Sequence, residues 1–309
     1  MHDRVLIRFP SRRAAGMSPA HVGLAFLAVF VWGTNFVVIK AALADFPPFL
    51  FATLRFVFSA LPLVFFLPRP RTPWRWLVLY GAFLGAGQFG LLFYALRADI
   101  SPGLASLVIQ AQVFFTIALS AWLFRERISR ITIAGSIVAI AGLALIASRL
   151  DASATPLGLA LVLTAAFAWG WANIAVKKAH AQAKEKFSMV AFVAWASIFA
   201  VPPLLALTTA LEGPHAAWQA IRGASLGAWL AVAWQVLGNT LFAFAAWSFL
   251  LARYDAAVVS PYALLIPVFG MGASAIALGE TLPAWKLGGG VLVLGGIAII
   301  VFLGTKRRD

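Results

Sequence analysis

Residues 20–39 read AHVGLAFLAVFVWGTNFVVI, an apolar run without Asp, Glu, Lys or Arg that ends at Lys40. A helix rises about 1.5 Å per residue, so a run of this length covers the hydrocarbon core of a bilayer, which is about 30 Å thick. Lipid offers no partner for backbone N–H and C=O groups, so a chain that crosses it must satisfy them internally. The stretch therefore predicts a membrane-spanning helix.

The rest of the chain repeats this pattern. Of its 309 residues 62% are hydrophobic and only 11% are charged, whereas a soluble domain carries about 25% charged residues. Sustained alternation of polar and apolar residues is missing, which argues against an outer-membrane barrel. We therefore predict an all-α integral membrane protein with ten transmembrane helices. The predicted spans are 20–39, 47–67, 74–94, 101–124, 131–148, 156–176, 187–207, 226–250, 256–279 and 285–303.

The basic residues of this chain, which has a net charge of +14, indicate its orientation. If the N-terminus is cytoplasmic, eighteen of the 24 Lys and Arg residues fall in inner segments, five fall in outer ones, and Arg55 lies within a span. This bias follows the positive-inside rule and places both termini in the cytoplasm. Because the cations lie in short loops between apolar blocks, a nucleic-acid partner is not expected.

An internal repeat divides the sequence. Glu126 and Glu280 each close an apolar span at a separation of 154 residues, and Asn35 matches Asn173 at a separation of 138. Each asparagine lies near a Trp and is followed five residues later by Lys. Two halves of five helices must have opposite orientations in the membrane, because five is odd. Such inverted repeats are typical of secondary transporters.

The repeat predicts the domain boundaries. A first five-helix unit covers residues 20–148 and a second covers residues 156–303. Residues 1–19 and 304–309 are predicted to be cytoplasmic tails.

Residue types that carry catalysis are poorly represented. The chain has no Cys, its four His lie at helix ends or in loops, and no Asp or Glu falls in the middle of a span. We therefore predict no catalytic residues, no metal site and no cofactor. Proton-coupled carriers usually relay protons through buried acidic groups, so their lack here favours facilitated export down a gradient.

Polar residues inside the spans are the candidates for binding a small molecule. A buried amide is costly unless it has a partner, so these groups face another helix or a wet cavity, and simple helix-to-helix hydrogen bonding is the alternative for each. Lys40 could meet a substrate carboxylate or extend to the interface, and Arg55 needs a partner or water. The predicted substrate-binding residues are Trp32, Asn35, Lys40, Arg55, Gln88, Tyr94, Ser106, Gln110, Gln112, Trp169, Asn173 and Tyr262.

Several of these residues stand in strings that resemble a known family. The strings are Trp32 to Lys40 (WGTNFVVIK), Leu54 to Phe56 (LRF), Gly103 to Thr116 (GLASLVIQAQVFFT), Asn173 to Lys178 (NIAVKK) and Pro261 to Glu280. From about Ala20 to Thr305 the chain resembles the EamA branch of the drug/metabolite transporter superfamily. The string that begins at Gly103 is similar to exporters of amino-acid metabolites such as O-acetylserine and cysteine.

The resemblance implies export of amino acids or their derivatives across a bacterial inner membrane, and we predict an alternating-access exporter with a central cavity between its halves. Its expected partners are a small-molecule substrate and the lipid bilayer, with a monomer expected and a dimer left open. A drug, nucleoside or nucleotide-sugar carrier of the same superfamily is the alternative, and a membrane-bound lipid-modifying enzyme is the alternative from another class. The family pattern positions present here are Asn35, Lys40, Arg55, Gln110, Gln112 and Asn173.

Overall fold

The structure, a computed structural model, describes residues 17–125, 128–149, 153–254 and 256–304. Within these ranges ten helices are long and apolar enough to cross a membrane, which confirms the predicted all-α fold with ten spans. Glu126 and most of the predicted tails lie outside the described residues. The helices are α1 (Pro19–Ala42), α2 (Pro48–Phe66), α3 (Trp74–Ala98), α4 (Pro102–Phe124), α5 (Arg130–Ala147), α6 (Pro156–Ala181), α7 (Met189–Glu212), α8 (Leu226–Leu251), α9 (Ser260–Leu278) and α10 (Ala284–Leu303).

Proline and hydroxyl residues fix where the helices begin. Pro19, Pro48, Pro102 and Pro156 are each the first helical residue of their span, a position where the missing N–H removes no hydrogen bond. Ser18 precedes the first of them, and its side chain accepts a hydrogen bond from the backbone N–H of His21, the third residue of α1. Such caps satisfy backbone groups that would otherwise be left without partners.

The two predicted halves pack against each other helix by helix. Helix α1 contacts α8 and α9, while α6 contacts α3 and α4; α2 packs on α7, and α5 packs on α10. Exchanging each helix with its counterpart five spans away converts α1–α8 into α6–α3 and α1–α9 into α6–α4, and it leaves α2–α7 and α5–α10 unchanged. The predicted repeat requires this pattern of contacts, and the inverted relation of the two halves stays a prediction.

Counterpart helices also depart from regular α geometry in the same way. The middle of α3 (Phe83–Gly90) and that of α8 (Trp234–Ala243) are wound as π-helix. Helices α4 and α9 each contain a 3₁₀ turn, at Ile109–Ala111 and Ser260–Leu264. The turn in α9 includes Pro261, which has no backbone N–H to donate to a preceding turn. Irregular turns inside a helix are frequent at functional sites.

Helices α5 and α10 approach so closely that glycine is required at their contact. A Cβ atom on Gly142 would lie 2.7 Å from the carbonyl oxygen of Gly289, and one on Gly135 would lie 2.6 Å from that of Gly296. Small residues let membrane helices bring their backbones together, where van der Waals packing replaces the hydrophobic effect as the source of association. This pair therefore forms a rigid contact between the halves.

Carboxylates hold the two halves together at the face opposite the N-terminus, called here the opposite face. At the end of α7, Glu212 accepts hydrogen bonds from the backbone N–H groups of Phe49 (2.7 Å) and Leu50 (2.9 Å) in the first turn of α2. Asp45 accepts one from the N–H of Ser225, the residue that caps α8 (2.8 Å). A helix N-terminus attracts negative charge, because its N–H groups are free and its dipole is positive there.

Two further acids at the opposite face also join the halves. Asp99 accepts from the hydroxyl of Thr155, the cap of α6 (3.1 Å). Glu280 accepts from the N–H of Gly103 in the first turn of α4 (3.0 Å), where the lack of a side chain on Gly103 makes room for the carboxylate. Four acidic residues therefore each reach from one predicted half to the start of a helix in the other.

Glu280 is also the centre of a buried ion pair. The ammonium of Lys286, which is fully buried, donates to the Glu280 carboxylate (2.9 Å). Burial alone would raise the pKa of Glu280, but hydrogen bonds from Ser101, Ser274 and Lys286, with the charge of Lys286, lower this pKa below its ordinary value of 4.5. In the count of basic residues, Lys286 was only one of the five cations on the outer side. The structure shows that it also stabilises the end of α9 and the start of α10.

Candidate functional site

A buried polar network joins α1, α2 and α8. The side-chain Nε2 of Gln235 donates to Oδ1 of Asn35 (2.7 Å), and Nδ2 of Asn35 donates to Oε1 of Gln235 (3.4 Å). The same Oε1 accepts a hydrogen bond from Nη1 of Arg55 (2.5 Å). Exposure of the three residues is 3%, 2% and 0% for Asn35, Arg55 and Gln235. The network therefore links the two halves through groups that are removed from lipid and water.

Arg55 is a buried cation with no described carboxylate within salt-bridge distance; the ion pairs among the described residues are Arg71–Glu185 and Lys286–Glu280. Its guanidinium carbon lies 3.7 Å from the ring centroid of Phe89 and 5.6 Å from that of Phe56. Its Nε atom is buried and has no hydrogen-bond partner. An isolated charge in a low-dielectric interior is costly, so this site has unused capacity for an anion.

Other buried polar atoms near this network also have no partner. Ser59 lies one helical turn from Arg55 on α2, and its hydroxyl makes no hydrogen bond. In the π segments of α3 and α8, Oε1 of Gln88 and Nε1 of Trp234 have none either. Most buried polar groups in proteins are hydrogen-bonded, so these unpartnered atoms make this region the candidate for binding a ligand.

A second network joins α4 and α6. Nδ2 of Asn173 donates to Oε1 of Gln112 (2.8 Å) and to the hydroxyl oxygen of Thr116 (3.1 Å). That hydroxyl in turn donates to the backbone carbonyl of Gln112 (2.7 Å). All three side chains are half-buried. Each of the asparagines matched in the sequence therefore has its own glutamine partner in the other half, and the two are not joined to one another.

The two networks lie at different depths. Asn35 and Arg55 are each seven residues from the ends of α1 and α2 at the opposite face, which places them about 10 Å below it along the helices. Asn173 and Thr116 are each eight residues before the last residues of α6 and α4. They therefore lie about 12 Å from the N-terminal face, the face at which α1 begins. The fully buried layer is therefore next to the opposite face, and the accessible layer is next to the N-terminal face.

Lys40 lies apart from both networks. Its ammonium donates to the carbonyl oxygens of Leu96 (2.8 Å) and Arg97 (2.9 Å) at the end of α3, where free carbonyls and the helix dipole favour a cation. It also lines a cavity of about 510 Å³ at the opposite face, together with Ser101, Ser153 and Glu280.

The predicted aromatic residues are divided among different surroundings. Trp32 donates its indole N–H to the carbonyl oxygen of Asn239 (3.4 Å) and so lies on the face of α1 that meets α8. Tyr94 stacks on Phe49 and is 42% exposed. Tyr262 contacts Phe26 edge to face, and Trp169 is partly buried in the main core.

Two of the predicted polar residues of α4, Ser106 and Gln110, are buried outside the two networks. The hydroxyl of Ser106 is fully buried, donates to the carbonyl of Gly103 (2.6 Å) and faces Gly270 of α9. This is the packing alternative that the sequence left open. Gln110 is buried in the 3₁₀ turn of α4, and its side chain makes no hydrogen bond to a described residue.

Sequence reasoning did not select the residues that complete the networks. Gln235 is one of several amides inside apolar spans, and nothing local distinguishes it as the partner of Arg55, 180 residues away. Thr116 follows Gln112 by one helical turn, but a threonine can satisfy its hydroxyl within its own helix and is therefore a weak signal.

The chain is similar to known proteins in sequence and in fold. The model of the EamA-like transporter family matches the chain twice, over residues 20–148 and 156–302. A crystal structure that is 20% identical aligns with a TM-score of 0.60 over 95% of this chain and all of the other, which shows a shared fold.

Two curated relatives are similar over nearly their whole length. Both are named "probable amino-acid metabolite efflux pump". The one from Salmonella typhimurium is 40% identical and covers 92% of this chain and 96% of its own. The one from Escherichia coli K12 is 37% identical and covers 90% and 94%. Ten spanning helices and such bacterial relatives identify a multi-pass protein of the bacterial inner membrane. The chain belongs to the EamA-like transporter family.

Proposed function

We propose that this protein exports small amino acids or amino-acid metabolites, such as O-acetylserine or cysteine, by alternating access between its two halves. The observation that carries the proposal is the buried guanidinium of Arg55, which no described carboxylate neutralises. Every α-amino acid carries a carboxylate, and a charge-assisted bond from Arg to a carboxylate is stronger than one to a neutral amide. The names of the two relatives agree with this class of substrate.

Substrate binding is proposed to proceed by exchange of partners at Arg55. In the structure Nη1 of Arg55 donates a hydrogen bond to Oε1 of Gln235, while Nε of Arg55 has no acceptor. A substrate carboxylate would take Nε and displace the amide oxygen. Oε1 of Gln88, which has no partner, is an acceptor for the substrate ammonium. Because Gln235 also binds Asn35, its displacement would loosen the contact between α1 and α8 and so couple binding to opening of the opposite face.

The supply of energy is proposed to be the gradient of the substrate itself. Among the described spans the only carboxylate is that of Glu212, at the last residue of α7. It binds two backbone N–H groups of α2 rather than a titratable partner. In liposomes, preloaded substrate should therefore leave at the same rate with and without a pH gradient; flux that stopped when the pH gradient was dissipated would contradict this mode.

Arg55 variants test the proposal. Purified protein is reconstituted into liposomes loaded with cysteine, O-acetylserine or cysteamine, the last being cysteine without its carboxylate. The wild type should transport both zwitterions at least tenfold faster than cysteamine. The Arg55→Gln variant should lose most of that preference, and Arg55→Lys should retain part of it.

The matched control is Arg130→Gln, which removes the same charge from an exposed position at the start of α5. This control should transport like the wild type. Equal transport of cysteine and cysteamine by the wild type, or an Arg55→Gln variant with unchanged selectivity, would show that the guanidinium does not bind the substrate.

A further inference from the structure

A second cavity lies between two loops at the N-terminal face. Its volume is about 690 Å³. The loop between α2 and α3 and the loop between α6 and α7 form its walls, so both predicted halves contribute. Its lining residues are Arg69, Arg71, Thr72, Pro73, Gln182 and Lys184.

Hydrogen bonds between the loops fix the walls of this cavity. The hydroxyl of Thr72 donates to the carbonyl of Ala179 (2.9 Å), and the N–H of Lys184 donates to the carbonyl of Arg71 (3.0 Å). The amide oxygen of Gln182 accepts from Arg75 (2.8 Å), a residue at the start of α3. Positive charge alone orients a chain in the membrane, and that role does not require hydrogen bonds between the loops that carry the cations. The fixed arrangement of these two loops therefore points to a further role.

The cavity carries excess positive charge. Arg71 is paired with Glu185, whereas Arg69 and Lys184 have no described acidic partner within salt-bridge distance. The guanidinium of Arg69 lies over the ring of Trp74, 3.6 Å from its centroid, which fixes its position by a cation–π contact. A planar guanidinium beside an ammonium suits a phosphate group.

Exposed aromatic residues continue from the rim of the cavity into the membrane region. Phe65 and Phe66 at the end of α2 are 77% and 79% exposed, and Trp74 at the start of α3 is 44% exposed. The connecting loop therefore lies at the boundary of the bilayer, and Trp is enriched at that depth. A ligand bound here would have its charged group in the cavity and apolar chains beside the two phenylalanines.

We propose that this cavity binds the phosphate headgroup of an anionic phospholipid from the leaflet next to the N-terminal face. Basic pockets between helices on that side of a membrane bind such headgroups. Bound lipid would bridge the loops of both halves and stabilise their contact at this face.

Lipid titration of the full chain tests the proposal. Protein in detergent is mixed with phosphatidylglycerol, phosphatidylcholine or inorganic phosphate, and thermal unfolding is followed. Phosphatidylglycerol should raise the melting temperature, and the other two should not. Arg69→Gln and Lys184→Gln should each require at least fivefold more phosphatidylglycerol for the same rise.

The matched control is Lys186→Gln, which removes one charge from an exposed position in the same loop without lining the cavity. It should respond like the wild type. An equal loss of the lipid-dependent rise in melting temperature in all three variants would attribute the effect to net surface charge. Stabilisation by inorganic phosphate would make the cavity a site for free anions. Either result, or no response of the wild type to phosphatidylglycerol, overturns the lipid assignment.

Discussion

At the scale of single residues, two variants of Gln235, the proposed exchangeable partner of Arg55, distinguish a structural role of this residue from a functional one. Gln235→Glu would place a carboxylate where Arg55 now meets a neutral oxygen. The resulting ion pair should keep or raise the thermal stability, because a buried Arg then has a counter-ion. It should also reduce cysteine export at least tenfold, since a resident carboxylate competes with that of the substrate.

Gln235→Leu is the companion variant. It leaves Arg55 and Asn35 without their shared partner, and such unsatisfied buried groups cost about 1–3 kcal/mol each. Its melting temperature should fall, whereas Thr164→Val, which removes an exposed hydroxyl bonded within α6, should leave it unchanged. A Gln235→Glu protein that exported cysteine at the wild-type rate would contradict the exchange of partners at Arg55.

The residues of the site were predictable only in part, for a physical reason. An amide or guanidinium inside an apolar span is conspicuous in a sequence, so Asn35, Arg55, Gln112 and Asn173 could be selected. The shared partner of Asn35 and Arg55 could not, because the hydrogen bond from Arg55 to Gln235 spans 180 residues and depends on how helices rotate against one another. For the same reason Ser106 could not be assigned to packing in advance.

At the scale of helices, the contact between α5 and α10 predicts opposite results for two neighbouring glycines. In Gly296→Ala the added Cβ would lie 2.7 Å from the Cβ of Ala139, so the helices must separate. Overpacking of this kind costs about 1–3 kcal/mol. Gly295→Ala meets nothing within 4 Å and serves as the control.

Thermal unfolding in detergent measures both variants. Gly296→Ala should melt earlier than the wild type, and Gly295→Ala should melt at the same temperature or later. Equal melting temperatures for the two variants would mean that α10 does not pack on α5 through this face.

The pair of Glu280 and Lys286 predicts how stability depends on pH. The folded protein lowers the pKa of Glu280 below its ordinary value of 4.5, so the carboxylate contributes its full stabilisation above about pH 4.5. This contribution is lost as the pH falls through the lower pKa of the folded state. Glu280→Gln should be less stable at pH 7, because Lys286 is left buried without its counter-ion, and should show a smaller further loss below pH 4.5.

Melting temperatures measured from pH 7 to pH 3 check this dependence. Glu185→Gln, which breaks an exposed ion pair, is the control and should lose stability in acid as the wild type does. If the melting temperature of Glu280→Gln fell between pH 7 and pH 3 by as much as that of the wild type, the loss of stability in acid would belong to other carboxyl groups.

Regular helices were predictable from length and hydrophobicity, but their irregular turns were not. Proline marked the 3₁₀ turn in α9, whereas nothing in the residues 83–90 of α3 distinguishes a π-helix from an α-helix. This segment packs against α6 and α7, and such contacts between distant helices cannot be read from the local sequence. The ten spans followed from the chain alone, since any apolar run of about 20 residues in lipid must satisfy its own backbone.

At the scale of the whole molecule, the two networks predict different access for reagents. The chain has no Cys, so a single introduced cysteine is the only thiol. Thr116→Cys lies in the half-buried layer near the N-terminal face and should react with a water-soluble maleimide. Asn35→Cys lies in the fully buried layer and should react at least tenfold more slowly.

Transport should change this pattern of access. Added cysteine would compete with a thiol reagent, so O-acetylserine is the ligand to use; it should accelerate labelling of Asn35→Cys by promoting opening of the opposite face. Labelling that stayed unchanged at saturating O-acetylserine would argue against alternating access, provided the same variant still transported it.

The carboxylates at the opposite face bear on the rate of transport. Each time that side opened, Glu212, Glu280, Asp45 and Asp99 would have to part from the helix starts they now hold and regain water one by one. With the predicted cytoplasmic N-terminus, we expect a carrier built this way to rest closed toward the growth medium. Because a passive carrier has the same kcat/KM for influx and efflux, this resting state would limit the rate of exchange in both directions, and the substrate gradient alone would set the direction of net export.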